Sequence, residues 1–201
     1  LLGYEDAVDS LAYLSSQRPQ HYPLRIQYAE ALLANGKAEE ALKNLNEVYR
    51  TLQASQVSRP EFELLLAEAF FQQGDEANTE RYLEKLMVRD GDPARLDHAY
   101  NLRLVRLLAK AGKTTQAVQF YQKLPKDNSL LSQTADFATQ AWIAFYNKEE
   151  EKAIAYATQA LDLYAYNVEA FQLLAQIGKK QSKLENILTK YRDNMVMKLK
   201  L

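Results

Sequence analysis

The sequence predicts an all-α chain, a stack of antiparallel helical hairpins, and three observations lead there. Gly36, Gly74 and Gly112 lie 38 residues apart, each in a short polar break between two apolar-periodic stretches. Five residues after each glycine comes Ala41, Thr79 or Ala117, and Ala7 and Ala153 hold the matching place in the flanking segments, at intervals of 34, 38, 38 and 36. Of the 201 residues, 47% are hydrophobic and 25% charged, and six glycines with five prolines are too few for a chain of strand turns.

Each register has a physical reason. Glycine after a helix supplies the left-handed backbone that ends it without a Cβ clash. A small residue once per hairpin lets two helix axes approach. After each small residue the apolar positions continue at helical spacing: Leu11 and Leu14, Leu45 and Val48, Leu83 and Leu86, Tyr121 and Leu124, Ala157 and Ala160.

In chain order, the pattern predicts a lone helix over 4–16 and hairpins pairing 22–35 with 38–55 and 60–73 with 76–89. Helices 93–111 and 114–124 follow, then 129–147 with 150–164, and finally 168–177 with 183–197. Asp92 before Pro93 reads as an N-cap acceptor ahead of a first-turn proline. Glu149, Glu150 and Glu151 put favourable negative charge at a helix N-terminus. Gly178 reads as an early break in the final pair. In the last helix Leu184, Ile187, Leu188, Tyr191 and Met195 form one stripe, with Lys183, Glu185, Asn186, Lys190, Arg192 and Asp193 around it. An apolar stripe with a polar remainder suits a helix that closes a stack.

A period near 34 residues, with a small residue midway along each helix, resembles the tetratricopeptide repeat family. First-helix positions Ala29, Ala67, Ala141 and Ala175 carry the resemblance, with the bulkier Val105 as an exception. So do the second-helix segments around Ala7, Ala41 and Ala153, and Pro19 after the lone helix. Thr79 departs from the usual alanine, and three repeats carry two to four extra residues. The resemblance implies a right-handed superhelical solenoid over 4 to about 191. It divides into a half repeat 4–19, repeats of about 22–55, 60–92, 93–128 and 129–167, and a terminal hairpin 168–198. This is one repeat domain, 1–201, expected to be a fragment of a longer chain because it opens on a second helix.

The chemistry of an enzyme is not legible. With no cysteine, disulfides, thiolate metal sites and a cysteine nucleophile are excluded. His21 and His98 are the only two histidines and share no helix face. No phosphate-binding glycine loop or nucleophile elbow occurs. Asp90-Gly91-Asp92 lacks the further ligands of a calcium loop and reads as a turn. The expectation is no catalysis, no cofactor and no metal. Apolar runs fall far short of a membrane span, so a soluble chain of unassigned compartment is expected.

The family's first helices line a concave groove that takes a peptide or helix of another protein. By that resemblance the candidate lining is Ile26, Glu30 and Leu33; Leu64, Glu68 and Phe71; Leu102, Arg103, Arg106 and Lys110; and Trp142 and Tyr146, with Ala138 and Phe145 beside them. On one helix Arg95, Arg103, Arg106 and Lys110 fall within about 80° of one another. Two readings stand: a solvated face answering Glu30 and Glu68, or a clamp for an acidic segment or C-terminal carboxylate. Trp142 and Tyr146, one turn apart, read either as core or as an interface anchor.

Family co-chaperones that hold chaperone tails use lysine, asparagine and arginine across three first helices. Here Ile26, Glu30, Leu65 and Ala99 fail that pattern and only Arg103 agrees. Homo-oligomerisation through the lone N-terminal helix is the alternative role, since Leu11 and Leu14 are expected to be poorly covered. Helical-repeat RNA binding wants a continuous basic groove, which Glu30, Glu63, Glu68 and a net charge of −1 oppose.

Overall fold

A computed structural model describes residues 4–54, 59–89, 97–179 and 184–198. Among them are eleven helices and no strand. These are α1 (Tyr4–Gln17), α2 (Tyr22–Ala34), α3 (Ala38–Ala54), α4 (Pro60–Gln73), α5 (Glu76–Arg89), α6 (His98–Lys110), α7 (Thr114–Lys123), α8 (Leu130–Tyr146), α9 (Glu150–Leu163), α10 (Val168–Gly178) and α11 (Glu185–Lys198). The chain divides into two compact units, Leu1–Arg95 and Leu96–Leu201.

The turns of the hairpins α2–α3, α4–α5, α6–α7 and α8–α9 share one geometry. Gly36, Gly74 and Gly112 have φ of 70°, 75° and 79°, and space around their Cα is open, so glycine serves the backbone conformation alone. At Gly74 the Asp75 N–H donates to the Phe70 carbonyl at 3.0 Å and the Gly74 N–H to Phe71 at 3.1 Å. This closes the last turn in the Schellman manner. The fourth turn repeats it: Glu149 N–H donates to Ala144 at 2.9 Å and Lys148 N–H to Phe145 at 3.0 Å. Lys148 holds the left-handed position there, with φ 65°. With no glycine to mark it, this turn was legible only through Ala153.

In the first unit α2 pairs with α3 and α4 with α5. Ala29, Ala41 and Ala67 have no exposed surface, as close helix contacts require. Thr79 is buried too, and its hydroxyl donates to the Asp75 carbonyl at 2.7 Å, so the polar atom enters the core satisfied. Asn44 donates to the Arg25 carbonyl at 3.1 Å within the α2–α3 hairpin, and Gln72 to the Leu33 carbonyl at 3.2 Å, joining it to the next. On α1, Val8 is buried, Leu11 is half-buried and Leu14 is exposed, with Tyr13 beside it.

In the second unit α6, α8 and α10 each lead a hairpin with α7, α9 and α11. The core gathers Ala141, Trp142, Ala153, Ala157, Ala160, Leu173, Leu174, Ile177, Leu184 and Tyr191. Tyr191 buries its ring and donates to Asp162 on α9 at 2.6 Å. Burial, then hydrogen bonding to and the charge of Asp162, push its hydroxyl well above the ordinary tyrosine range.

Two expectations shift, and others fall outside the described residues. The helix read from residue 93 is described from His98, where Asp97 accepts from the Tyr100 N–H at 2.9 Å. The Asp92–Pro93 start, the Asp90-Gly91-Asp92 turn, Arg95 and Lys183 lie outside the described residues. Gly178 is the last residue of α10 and not a left-handed break. A Cβ there would come within 2.9 Å of Leu188 Cδ1, so this glycine permits α11 to approach.

Candidate protein-binding surface

The second unit assembles the basic and aromatic residues on its leading helices α6, α8 and α10. Arg103, Arg106 and Lys110 recur at helical spacing on α6 and are each half-buried. Arg106 donates through Nη1 to Thr139 Oγ1 on α8 at 2.9 Å. Lys110 Nζ sits 4.5 Å from the centroid of the Trp142 ring, a cation–π contact that fixes both. Trp142 stacks on Tyr146 at 5.9 Å and meets Phe145 edge-on at 6.1 Å. Phe145 and Tyr146 remain half-buried, so the aromatic platform is partly open although Trp142 is only 4% exposed. Burial raises the Tyr146 hydroxyl above its ordinary value, keeping it a neutral donor at physiological pH.

An acid that periodicity did not single out faces this cluster. Asn167 caps α10, its side chain accepting from the Ala170 N–H at 3.0 Å, and so sets the first turn that carries Glu169. Glu169 Oε1 lies 3.7 Å from Arg106 Nη2. Burial alone would raise its carboxyl, but Arg106, Lys110 and Arg103 overcome that and hold it below the ordinary glutamate range. Its nearness to α6 comes from packing between hairpins and has no signature in local spacing. Within this unit the basic face is therefore answered by Glu169.

Other candidates separate by exposure. Leu33, Leu64 and Leu102 are buried in the core, at 4%, 0% and 0% exposure, and do not line an accessible surface. A leading helix in a stack touches its own partner and the adjacent hairpins, so only a narrow stripe stays open and apolar side chains beside it are covered. Ala138 is buried for the same reason. Ile26, Glu30, Glu68 and Phe71 are half-buried in the first unit.

The first unit also carries a charged cluster around Glu63, an acid read from the sequence as opposing a basic groove and found buried. Glu63 on α4 is 2% exposed and is met by Lys85 Nζ of α5 at 2.7 Å. Tyr49 of α3 donates to Glu63 at 3.4 Å and accepts from Lys85. Burial opposes the Lys85 charge, but the bonds to Glu63 and Tyr49 leave it above the ordinary lysine value. With both partners present this ties three helices together, a structural role.

The histidines have local roles. His21 Nδ1 accepts from the Leu24 N–H at 3.3 Å and caps α2. His98 Nε2 is 3.7 Å from Asp136, which also accepts from Tyr121 at 3.3 Å. Burial raises the Asp136 carboxyl in spite of those partners. Among the described residues no group of three or more His, Cys, Asp or Glu side chains is arranged to hold a metal ion. Nor is any described helix long and apolar enough to cross a membrane.

The comparison with known families agrees with the hairpins: the tetratricopeptide repeat model matches residues 4–67. No curated protein and no solved structure gives a match. Repeats of this kind generally mediate protein–protein interaction and are typically non-enzymatic. Residues 4–67 are thus similar to the tetratricopeptide repeat family, and the described helices that follow, paired in hairpins, are consistent with an all-α helical repeat.

Proposed function

We propose that this chain is a protein-binding scaffold and that the face formed by α6, α8 and α10 takes an acidic segment of a partner. The observation that carries the reading is the placement of Arg106 and Lys110, with Arg103 near them, beside Glu169 and against the Trp142–Tyr146 platform. Arginine matches a carboxylate with a planar fork, and partly open aromatics supply apolar contact at small entropic cost. Such a face favours an extended acidic segment with an apolar side chain over a neutral one.

A fluorescein-labelled hexaglutamate peptide, followed by anisotropy, tests the charge component. Binding should weaken as salt rises, and Arg103→Glu with Arg106→Glu should reduce affinity at least about tenfold with helical circular dichroism unchanged. Trp142→Ala should weaken it as well. Affinity that survives the double reversal would move the site elsewhere, and equal binding of a polyuridine oligomer would assign the face to nucleic acid.

A further inference from the structure

Glu169 does more than balance charge, and its geometry says why. Its Oε1 feels Arg106 at 3.7 Å, beyond hydrogen-bond reach, while the Arg106 fork is committed through Nη1 to Thr139. Oε2 is buried and accepts no hydrogen bond. The indole Nε1 of Trp142 is also buried and makes no hydrogen bond of ordinary geometry, its contact with Glu169 being only enough to help lower that carboxyl. A desolvated carboxylate and a desolvated donor stand together without the directional contact that would repay their burial.

The side chain is not locked in. Its surface is 40% exposed, so its stem borders solvent while Oε2 is turned inward. As the second residue of α10, it would be favoured by the helix N-terminus in either orientation. Helix capping therefore does not require it to lean into the basic face.

We propose that Glu169 is a resident occupant of this face, a carboxylate of the chain itself that an acidic side chain of the partner displaces on binding. The inference rests on the acidic-segment reading above and adds an intramolecular competitor to it. An entering glutamate or aspartate, free to choose its approach, takes the Arg106 Nη2 and Trp142 Nε1 donors that Glu169 engages only loosely. Glu169 turns out to solvent and retains its helix-terminal stabilisation. The competitor sets a threshold: a single weak carboxylate does not gain entry, whereas a segment that also engages the aromatic platform does. Ionisation of Glu169 well below neutrality keeps the competition active at physiological pH.

The test compares hexaglutamate binding to the wild-type chain, Glu169→Gln and Glu169→Ala, with helicity checked for each. Both variants should bind about tenfold more tightly, the gain expected when a competent state of about one tenth of the population becomes all of it. Their salt dependence should steepen, because more local positive charge is then available. If the wild type binds through Arg103 and Arg106 but neither variant gains, displacement is wrong and the acidic-segment reading stands. If no variant and no wild-type protein binds, the reading itself fails and takes the displacement with it. Weaker binding by both folded variants would make Glu169 a contact for the ligand and overturn the competitor role.

Discussion

Asn167 joins two helices through one amide, with Thr134 linking on to a third, and its removal can be worked through bond by bond. Its Oδ1 accepts the Ala170 N–H at 3.0 Å and caps α10. Its Nδ2 donates to the Thr134 carbonyl and to Thr134 Oγ1, both at 3.1 Å. The Thr134 hydroxyl, buried, sends its own proton to the Ala160 carbonyl at 2.7 Å, so it can only accept from Asn167. Asn167→Ala loses the cap, about 1 kcal/mol. It also loses the amide donor to α8, roughly another 1 kcal/mol in a partly buried site. The sum is about 2 kcal/mol.

Asn167→Ser keeps a cap acceptor but cannot span to Thr134, so it should cost about 1 kcal/mol, isolating the amide. The assay is urea unfolding followed by the fluorescence of Trp142, the sole tryptophan, which sits in the same core as α8, α9 and α10. An alanine variant within about 0.5 kcal/mol of wild type would refute the accounting. So would a serine variant as unstable as alanine, since the bonds to Thr134 would then contribute nothing. Because the same cap sets the turn that carries Glu169, Asn167→Ala should also loosen the basic face.

Two further perturbations test the local physics. Lys148→Gly places the permissive residue where φ is 65°; relief of about 1–2 kcal/mol of left-handed strain, less the greater chain entropy of unfolded glycine, should stabilise the second unit by roughly 0.5–1 kcal/mol. Unchanged urea midpoints would mean the turn tolerates lysine without strain. Asp127 is held below its ordinary value of 3.8, first by the Ser132 hydroxyl at 2.6 Å, then by the Ser129 N–H and hydroxyl. A depressed folded value stabilises above about 3.8 and is lost as pH falls through it. The stability gap between wild type and Asp127→Asn should therefore be full at neutrality and shrink on acidification below that value. A gap that stays constant into strong acid would detach these bonds from stability.

Backbone conformation and helix contact are written in residue type, which is why so much of the fold was legible. Only glycine tolerates the left-handed turn cheaply, and only a small side chain fits between close helix axes. Gly36, Gly74, Gly112 and the small residues that follow, Ala41, Thr79 and Ala117, therefore set the period, the helix order and the family resemblance. The helix starts read at residues 150 and 168 coincide with those of α9 and α10, whereas the caps Ser129 and Asn167 emerged only in the structure. Exposure was not legible, because Leu33, Leu64 and Leu102 share a helical spacing with more open neighbours and only the covering hairpin distinguishes them.

The basic face divides the same way. Sequence alone placed Arg103, Arg106 and Lys110 on one side of α6, because helical geometry fixes angles over a few residues. Only tertiary packing brought Glu169, 63 positions beyond Arg106, to within 3.7 Å of its guanidinium and set Trp142 under Lys110. Coulomb attraction and cation–π contact depend on distance in space, and no local periodicity encodes which hairpin delivers the opposing charge.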